Sequence, residues 1–458
     1  MSKRVADIPG PGRFARGVHP AGFKRFSENA AIEVLPTPAE LRVPLLQHTG
    51  APSVPVVKMK DAVAFGQLLA EAKGMISAAT HSPVAGTVGK ETVTTLPNAR
   101  HVRVIPITPA ADTLSGAALY NEILGGEWPS GDEMREHSPD AIIEAIRAAG
   151  IVGQGGAAFP TAVKFARNPQ KPVDTILVNG CECEPYLTSD YRLMLEAPAA
   201  VVCGARLAAR AAGADHVYIA LESNKPAAAE ALREKVKGTP VRVAEVETKY
   251  PMGGEKQTVR AVLGRTIPTG GLPLDVGVVV INAATAAAIA RAVVRKGALT
   301  HRVVSVTGGA IARPKNVLAP IGASYAELIE FCGGLTPAAG RVISGGPMMG
   351  LPLGNFQIPI TKGASGIVAL TADDVRAAEE TNCVRCGRCV DVCPLNLVPS
   401  RIALAARHKD WSLAQRYHMQ ACMECGCCAF VCPAAIPLVQ LIRMGKPQML
   451  RETQKAGA

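Results

Sequence analysis

The chain has 458 residues, 48% of them hydrophobic and 19% charged, with 49 lysines and arginines against 38 acidic residues. That length exceeds one ordinary core and suggests three or four units at roughly 100 to 200 residues each, and the composition excludes a disordered chain. The formal net charge of +11 is spread without an arginine-rich arm or an aromatic-studded basic strand, so it reads as a solvated basic surface, or as attraction to anionic headgroups or acidic electron carriers, and no nucleic-acid partner is expected.

The opening "MSKRVADIPGPGRF" is basic but has no apolar core region and no small-residue cleavage site, so no secretory signal is expected. Residues 31 to 107 then alternate short apolar runs with turn signals, "IEVLPTP", "LRVPLLQHTGAPSVPVV", "AVAFGQLLA" and "SPVAGTVGKETVTTL", which predicts a small all-β unit. The pairing of "VVKMKDAVAFGQLLAEAKGMISA" with "THSPVAGTVG" is similar to the biotinyl/lipoyl barrel-sandwich fold, whose two halves pack face to face. Lys73 in "EAKGM" is the one lysine placed like a modified residue of that fold, but the usual acidic or methionine flanks are missing and no lipoylation is expected.

A stretch rich in Gly, Pro and Ser, "GGEWPSGDEMREHSP", reads as a linker. From Pro139 to about Lys296 the pattern becomes α/β. "DAIIEAIRAAG" has helical spacing and a glycine stop, "TILVNG" is a buried strand, and "AAVVCGARLAARAAG" is a helix leading to the strand "HVYIAL". Such succession predicts a parallel sheet covered on both faces. The longest apolar stretch, "VGVVVINAATAAAIARAVV" from Val276, reaches Arg291 short of the roughly 20 residues a bilayer crossing needs. Its β-branched first half and alanine-rich second half predict a buried strand running into a helix.

Two segments of this unit carry chemistry. "GIVGQGGAAFPTAVKF", residues 150 to 165, places Gly150, Gly153, Gly155 and Gly156 before a helix predicted near Pro160. Glycine N–H groups can point at an anion without a Cβ in the way, and Lys164 can neutralise phosphate. The spacing is not that of a Rossmann G-x-G-x-x-G loop. In "LVNGCECEPYLTSDYRLM" a buried strand ends in Asn179, Glu182 and Glu184, where the ligands of open α/β sheets collect. Cys181 and Cys183 read as small buried hydrophobes.

The chain has thirteen cysteines, and without a signal they read as thiols that serve as metal ligands or catalytic groups. Nine of them sit in "CVRCGRCVDVCP", residues 383 to 394, and "CMECGCCAFVCP", residues 422 to 433, and eight of these nine repeat one spacing. A C-x2-C-x2-C loop wraps three thiolates around a cubane iron-sulfur cluster, and in two-cluster ferredoxins the cysteine before proline ligates the other cluster. Cys383, Cys386, Cys389 and Cys432 are thus assigned to one [4Fe-4S] cluster, and Cys422, Cys425, Cys428 and Cys393 to a second. Gly387 and Gly426, after the second cysteine of each run, let the backbone approach the cluster. Zinc sites favour cysteine pairs over spaced triplets and leave the repeated Cys-Pro unexplained. Cys427 is off the spacing and reads as a bystander.

Taken in order, "RGVHPAGFK" with "PLLQHTGAPSVPVV", "GIVGQGGAAFPTAVK", "NGCECEPYLTSDYRLM", "YPMGGEKQTV", "SGGPMMG" and the two cysteine runs resemble the RnfC family of the Rnf electron-transport complex over nearly the whole chain. The middle region also resembles the flavin- and NADH-binding subunit of respiratory complex I. That kinship implies a noncovalent FMN on the glycine loop with NADH stacked over its ring. Carried over by position, Gly153, Gly155 and Lys164 would meet the FMN phosphate and ribitol, with Gly156 in the same cradle, and Phe159 would lie near the nicotinamide. Asn179, Glu182, Gly254, Glu255, Asn282 and Thr285 would complete the flavin site, and Glu184 would contact the nucleotide. The complex I pattern differs in having glycine at Ala158, an acidic residue at Cys181 and phenylalanine at Arg167.

The expected architecture is multidomain, α/β plus all-β plus α. An extension (1–30) precedes a barrel-sandwich unit (31–125), a central α/β flavin/NADH-binding unit (135–298) and an SLBB-like β-grasp unit (299–371) that reads as structural. A helical ferredoxin unit with two clusters (372–446) and a tail (447–458) follow. The resemblance implies an NADH-oxidising subunit that is peripheral on the cytoplasmic face of a bacterial inner membrane. Hydride from NADH would pass to FMN without a general base, and electrons would leave singly through the clusters to other Rnf membrane and iron-sulfur subunits. Ferredoxin or flavodoxin would be reached indirectly, with coupling to Na+ or H+ movement. The alternatives are a soluble flavin/iron-sulfur reductase similar to cobalamin reductases, whose barrel-like part comes later in the chain, and a non-enzymatic iron-sulfur relay.

Overall fold

The computed structural model describes residues 8–166, 168–375 and 378–456. Arg167 lies outside them, as do the first seven residues of the extension and the last two of the tail.

The all-β unit consists of two small sheets. In one, Leu41–Pro44, His101–Pro109, Gly86–Val88 and Ala62–Val63 are neighbours, with Thr92–Thr95 also paired to His101–Pro109; in the other, Val54–Pro55, Leu68–Glu71 and Thr80–His81. Alternation turns Val102 and Val104 inward while His101 and Arg103 stay exposed, and Leu41, Val43, Leu69, Val104 and Ile107 close one core between the sheets. Lys73 is exposed in the connection after Leu68–Glu71.

"IEVLPTP", expected in this unit, goes elsewhere. Ile32–Val34 pairs in parallel with Asn316–Leu318 and forms the edge of the later six-stranded sheet. Pro36 and Pro38 follow directly and lack the N–H groups to continue a ladder, so the strand is free to leave the barrel.

The expected linker, residues 125–139, is docked: it follows the helix Gly116–Ile123, and its Trp128 and Met134 are buried in the core of the α/β unit. The Arg295 guanidinium stacks 3.9 Å from the centre of the Trp128 ring. Two apolar anchors among glycines and charges suffice to dock a segment whose average composition looks like a linker.

The α/β unit has a four-stranded parallel sheet in the order Val241–Val246, His216–Glu222, Thr175–Asn179, Val278–Asn282. Ile176, Val178, Val279 and Ile281 face the helices Pro198–Ala212 and Ala283–Val294. Leu177, Val278 and Val280 face the helix Glu255–Leu263 on the other side. Gly204 lets the two large helices touch, since a Cβ there would stand 1.7 Å from Ala286 O. The long apolar stretch does break into strand Val278–Asn282 and helix Ala283–Val294, and the Asn282 side chain caps that helix by accepting from Ala284 N at 2.8 Å.

A six-stranded sheet follows in the order Ile32–Val34, Lys315–Pro320, His301–Thr307, Gly366–Thr371, Ala339–Ser344, Leu351–Pro352. The helix Tyr325–Phe331 is started by a capping box between Ser324 and Glu327. Val304, Val306, Val317 and Ile367 belong to the same apolar cluster as the barrel strands, so these two β units share one core.

The last unit is helical: Pro399–Arg407, Trp411–Arg416 and Leu438–Ala456, with Ile402, Ala403, Ala414 and Ile442 inside. The chain beyond 446 continues this last helix through Pro447 rather than leaving as a tail, held by the buried Met449. No helix among the described residues is long and apolar enough to cross a membrane.

Residues 8–30 form a strap over the joints between units. Gly10 N and Gly12 N donate to Val262 O and Ala261 O, Val18 bridges Tyr250, and Gly17 N donates to Val392 O in the first cysteine run. Phe23 and Phe26 stack on Tyr186 at 4.7 and 5.8 Å.

Candidate functional site

Asn179 and Asn282 end neighbouring parallel strands in register with each other, at the carboxyl edge where ligands of open α/β sheets gather. The glycine loop comes up beside them. Its base is closed by Gly153 N donating to Phe159 O at 2.8 Å and Thr161 N to Ile151 O at 2.9 Å. Its tip is open: Gly155 and Gly156 are exposed, Gly156 has a φ of +110°, and nothing lies within 4 Å of where its Cβ would be. Gln154 N donates to Thr285 Oγ1 at 2.9 Å, and a Cβ on Gly155 would stand 3.4 Å from Asn282 Cβ. The helix predicted at Pro160 is a single turn, Thr161–Lys164, so the contribution of its dipole is small. Positive charge comes instead from Lys164, whose Nζ donates to Glu255 Oε1 at 2.8 Å and Val280 O at 2.9 Å.

Of the sequence-predicted residues, the fold thus brings Gly153, Gly155, Gly156, Lys164, Asn179, Glu255, Asn282 and Thr285 to one edge. Phe159 is half-buried at the root of the loop. Gly254 begins the helix Glu255–Leu263, and Asn179 Nδ2 donates to Gly253 O at 2.7 Å.

The acidic turn is arranged differently from the expectation. Glu182, at φ +46°, directs its carboxylate to the start of the helix Ser189–Glu196, accepting from Asp190 N at 2.7 Å and Tyr191 N at 3.2 Å. The Glu184 carboxylate accepts from Met348 N at 3.1 Å and Met349 N at 2.8 Å, and burial pushes it up to about 7. Both are therefore engaged by backbone N–H groups and shape the turn. Burial raises the Cys181 and Cys183 thiols, and Cys183 Sγ accepts from Gly253 N at 3.2 Å.

Four groups leave no clear signal in the sequence. Lys24 of the strap donates to Glu182 O and Glu184 O at 2.8 Å and to Leu187 O at 2.5 Å. Lys225 donates to Cys181 O at 2.6 Å and pairs with buried Glu222 at 3.1 Å. Asp190 accepts from Asn282 Nδ2 at 2.6 Å, and burial with the Glu182 carboxylate pushes it up to about 7. Tyr250 donates to Cys425 O at 2.6 Å. The motifs "RGVHPAGFK", "TSDYR" and "YPMGGEKQTV" contain Lys24, Asp190 and Tyr250; no local signal singles out Lys225.

The two cysteine runs have matching backbones. Arg385 and Glu424 have φ +53° and +58°, Gly387 and Gly426 +78° and +86°, and each glycine opens a one-turn helix, Arg388–Asp391 or Cys427–Phe430. Cys393, Cys422, Cys425 and Cys428 line one hollow together with Cys427. Those four are the crossed set expected for the second cluster, and four thiols ringing a hollow suit a bulky cluster better than a single ion. Cys383 and Cys386 are exposed, Cys389 half-buried and Cys432 buried. The later run abuts both the α/β unit and the six-stranded sheet's unit: a Cβ on Gly254 would lie 2.7 Å from Met423 Cε, and one on Gly426 would lie 2.6 Å from Met348 O.

Comparison with known proteins matches every unit. Residues 12–112 match the RnfC barrel sandwich hybrid domain, 146–291 the Nuo51 FMN-binding domain, 303–352 the SLBB domain and 380–436 the 4Fe-4S dicluster domain. Three relatives are the C subunits of redox-driven complexes. The chain is 41% identical over 395 residues to that of the proton-translocating ferredoxin:NAD(+) oxidoreductase complex of Clostridium ljungdahlii, covering 85% of this chain and 84% of that one. It is 41% identical to that of the ion-translocating oxidoreductase complex of Rhodobacter capsulatus, with coverage of 94% and 82%. It is 39% identical to that of the Na(+)-translocating ferredoxin:NAD(+) oxidoreductase complex of Acetobacterium woodii, with coverage of 97% and 98%.

Proposed function

Because the chain belongs to the RnfC family of ion-translocating oxidoreductase complexes, we propose that it is the NADH-oxidising subunit of such a complex and works with the other Rnf subunits as partners. It is an oxidoreductase with an FMN-binding domain and two [4Fe-4S] clusters. Held on the glycine loop, FMN would supply the chemistry that links two-electron hydride transfer from NADH to single-electron transfer.

The chain's own residues bind, orient and connect. The open tip at Gly155 and Gly156 presents backbone to a phosphate, Lys164 supplies charge beside it, and Asn179, Glu255, Asn282 and Thr285 fix the surrounding edge. Phe159 stands at the nicotinamide side. Glu182 and Glu184 hold the turn and the Met348–Met349 loop in place through their N–H donors. Cys383, Cys386, Cys389 and Cys432 hold one cluster, and Cys422, Cys425, Cys428 and Cys393 the other. The contact that carries the reading is Met423 against Gly254: it sets the second cluster loop against the residue before Glu255, which itself pairs with Lys164. Electrons then leave toward partner subunits and a ferredoxin or flavodoxin beyond them, from a site peripheral on the cytoplasmic face of the inner membrane.

The barrel ahead of the FMN-binding domain favours this over a soluble cobalamin-type reductase. Anaerobic NADH titration with flavin, iron and sulfide counted on the same sample tests it. Lys164→Ala is expected to cut NADH oxidation at least tenfold while about eight iron atoms stay bound, and Cys393→Ser to remove one of two paramagnetic signals. Loss of iron with NADH turnover kept in the first variant, or both signals kept in the second, contradicts the assignment.

A further inference from the structure

The SLBB-containing β unit reads as structural from sequence, yet it sends two buried cations to the underside of the glycine loop. Arg302, on the strand His301–Thr307, is 2% exposed, and Lys362, just before the strand Gly366–Thr371, is 1% exposed. Lys362 Nζ donates to Gly150 O at 2.7 Å and to Ala79 O of the barrel at 2.6 Å. Arg302 donates to Gln154 O at 3.2 Å and to Ala364 O at 3.0 Å. From the barrel side, Thr49 donates through Oγ1 to Ala157 O at 3.1 Å and through its backbone N to Ala158 O at 3.2 Å. The carbonyls of the loop are thus drawn inward. Since a trans peptide points its C=O and the next N–H in opposite directions, Arg302 on Gln154 O turns the Gly155 N–H toward the exposed tip.

Neither cation has a carboxylate salt bridge among the described residues. His48 and His81 are the titratable groups facing Lys362, and burial lowers both, His81 to about 3. Asp190 faces Arg302 and is itself raised to about 7. Lys362 is thus a buried charge without a counter-ion, and Arg302 has only the raised Asp190 carboxyl to offset it; both are unfavourable, and an anion on the opposite side of the loop relieves them.

We propose that Lys362 and Arg302 are specificity-determining residues that favour a phosphorylated flavin over its neutral parent, acting through the glycine loop rather than by touching the ligand. This rests on the flavin reading of that loop. Desolvation pushes Lys362 down to about 7, so a bound phosphate that restores its proton ties affinity to pH.

The test uses the full chain, clusters in place, stripped of flavin under anaerobic conditions, with FMN and riboflavin titrated by fluorescence quenching. The wild type should prefer FMN, and its FMN affinity should weaken as pH rises from 7 to 9. Lys362→Met, which keeps the volume, should weaken FMN on the order of tenfold, leave riboflavin within about twofold, and flatten the pH dependence. Arg302→Met should act likewise at fixed pH. Thr49→Val, an exposed and uncharged anchor, should weaken both flavins alike; iron content and melting temperature verify folding. Equal loss of both flavins in Lys362→Met and Arg302→Met, or unchanged FMN binding, overturns the proposal. A wild type that binds neither flavin defeats the reading of the loop itself and this inference with it.

Discussion

Glu184 shows how a residue can be found by sequence while its role is not. Its position in "CECEPY" marks the carboxyl end of a strand, but nothing local says that Met348 and Met349, some 160 residues later, will offer their N–H groups to it. Lys164 stands out from a local glycine-loop pattern, whereas Asn282 and Thr285 were singled out only through the family resemblance, and the structure sets all three along one sheet edge. Lys24, Lys225, Lys362 and Arg302 were not, because their bonds are to distant backbone carbonyls, which leave no mark on sequence. The buried Glu184 and Asp190 carboxyls, raised to about 7 from ordinary values near 4, hold protons that the unfolded chain releases. Their protonated forms therefore add stability that is full below about pH 4 and lost as pH rises to 7. Glu184→Gln, which stays uncharged, should flatten melting temperature against pH between 5 and 7; an unchanged slope would place the group's titration elsewhere.

At the scale of elements, the strand, helix and cysteine-loop patterns were read well wherever a period or spacing governs them. The helix expected near Pro160 is there as one turn, Thr161–Lys164, held at its ends by Thr161 N on Ile151 O and Lys164 on Val280 O. The docking of the linker was missed because two anchors do not form a period. The repeated cysteine loops also separate two uses of glycine. Gly387 and Gly426 share the left-handed conformation, but only Gly426 is pressed against a neighbour, Met348 O. Gly387→Ala should cost about 1 to 2 kcal/mol of backbone strain and leave NADH reduction of the clusters intact. Gly426→Ala carries the same strain and must also push the loop away from Met348. Stopped-flow reduction by NADH should slow in that variant alone, with iron content equal in both.

Over the whole molecule, the order of units was readable from the chain, whereas their joints were not. The barrel and the six-stranded sheet share one apolar core, and strand Ile32–Val34 sits in the second although its sequence neighbours belong to the first. The strap joins the remaining units: Lys24 holds the acidic turn, and Arg16 donates to Val390 O at 2.6 Å in the first cysteine run. Removing residues 1–30 should leave clusters that dithionite bleaches fully and that NADH bleaches more slowly than in the intact chain. Equal rates would show that the strap plays no part in seating the ferredoxin unit.

The strap also sets a timetable for biogenesis. Arg16 and its partner Val390 are 374 residues apart, so the strap is translated well before the loop it closes on, and Val262 and Asn316 likewise follow Gly10 and Ser27, which they hold. Units fold in turn as they emerge, but the N-terminal segment stays unseated until the cysteine loops exist. Closure of the strap over the first cysteine run therefore waits for residues translated after the barrel, the α/β unit and the six-stranded sheet.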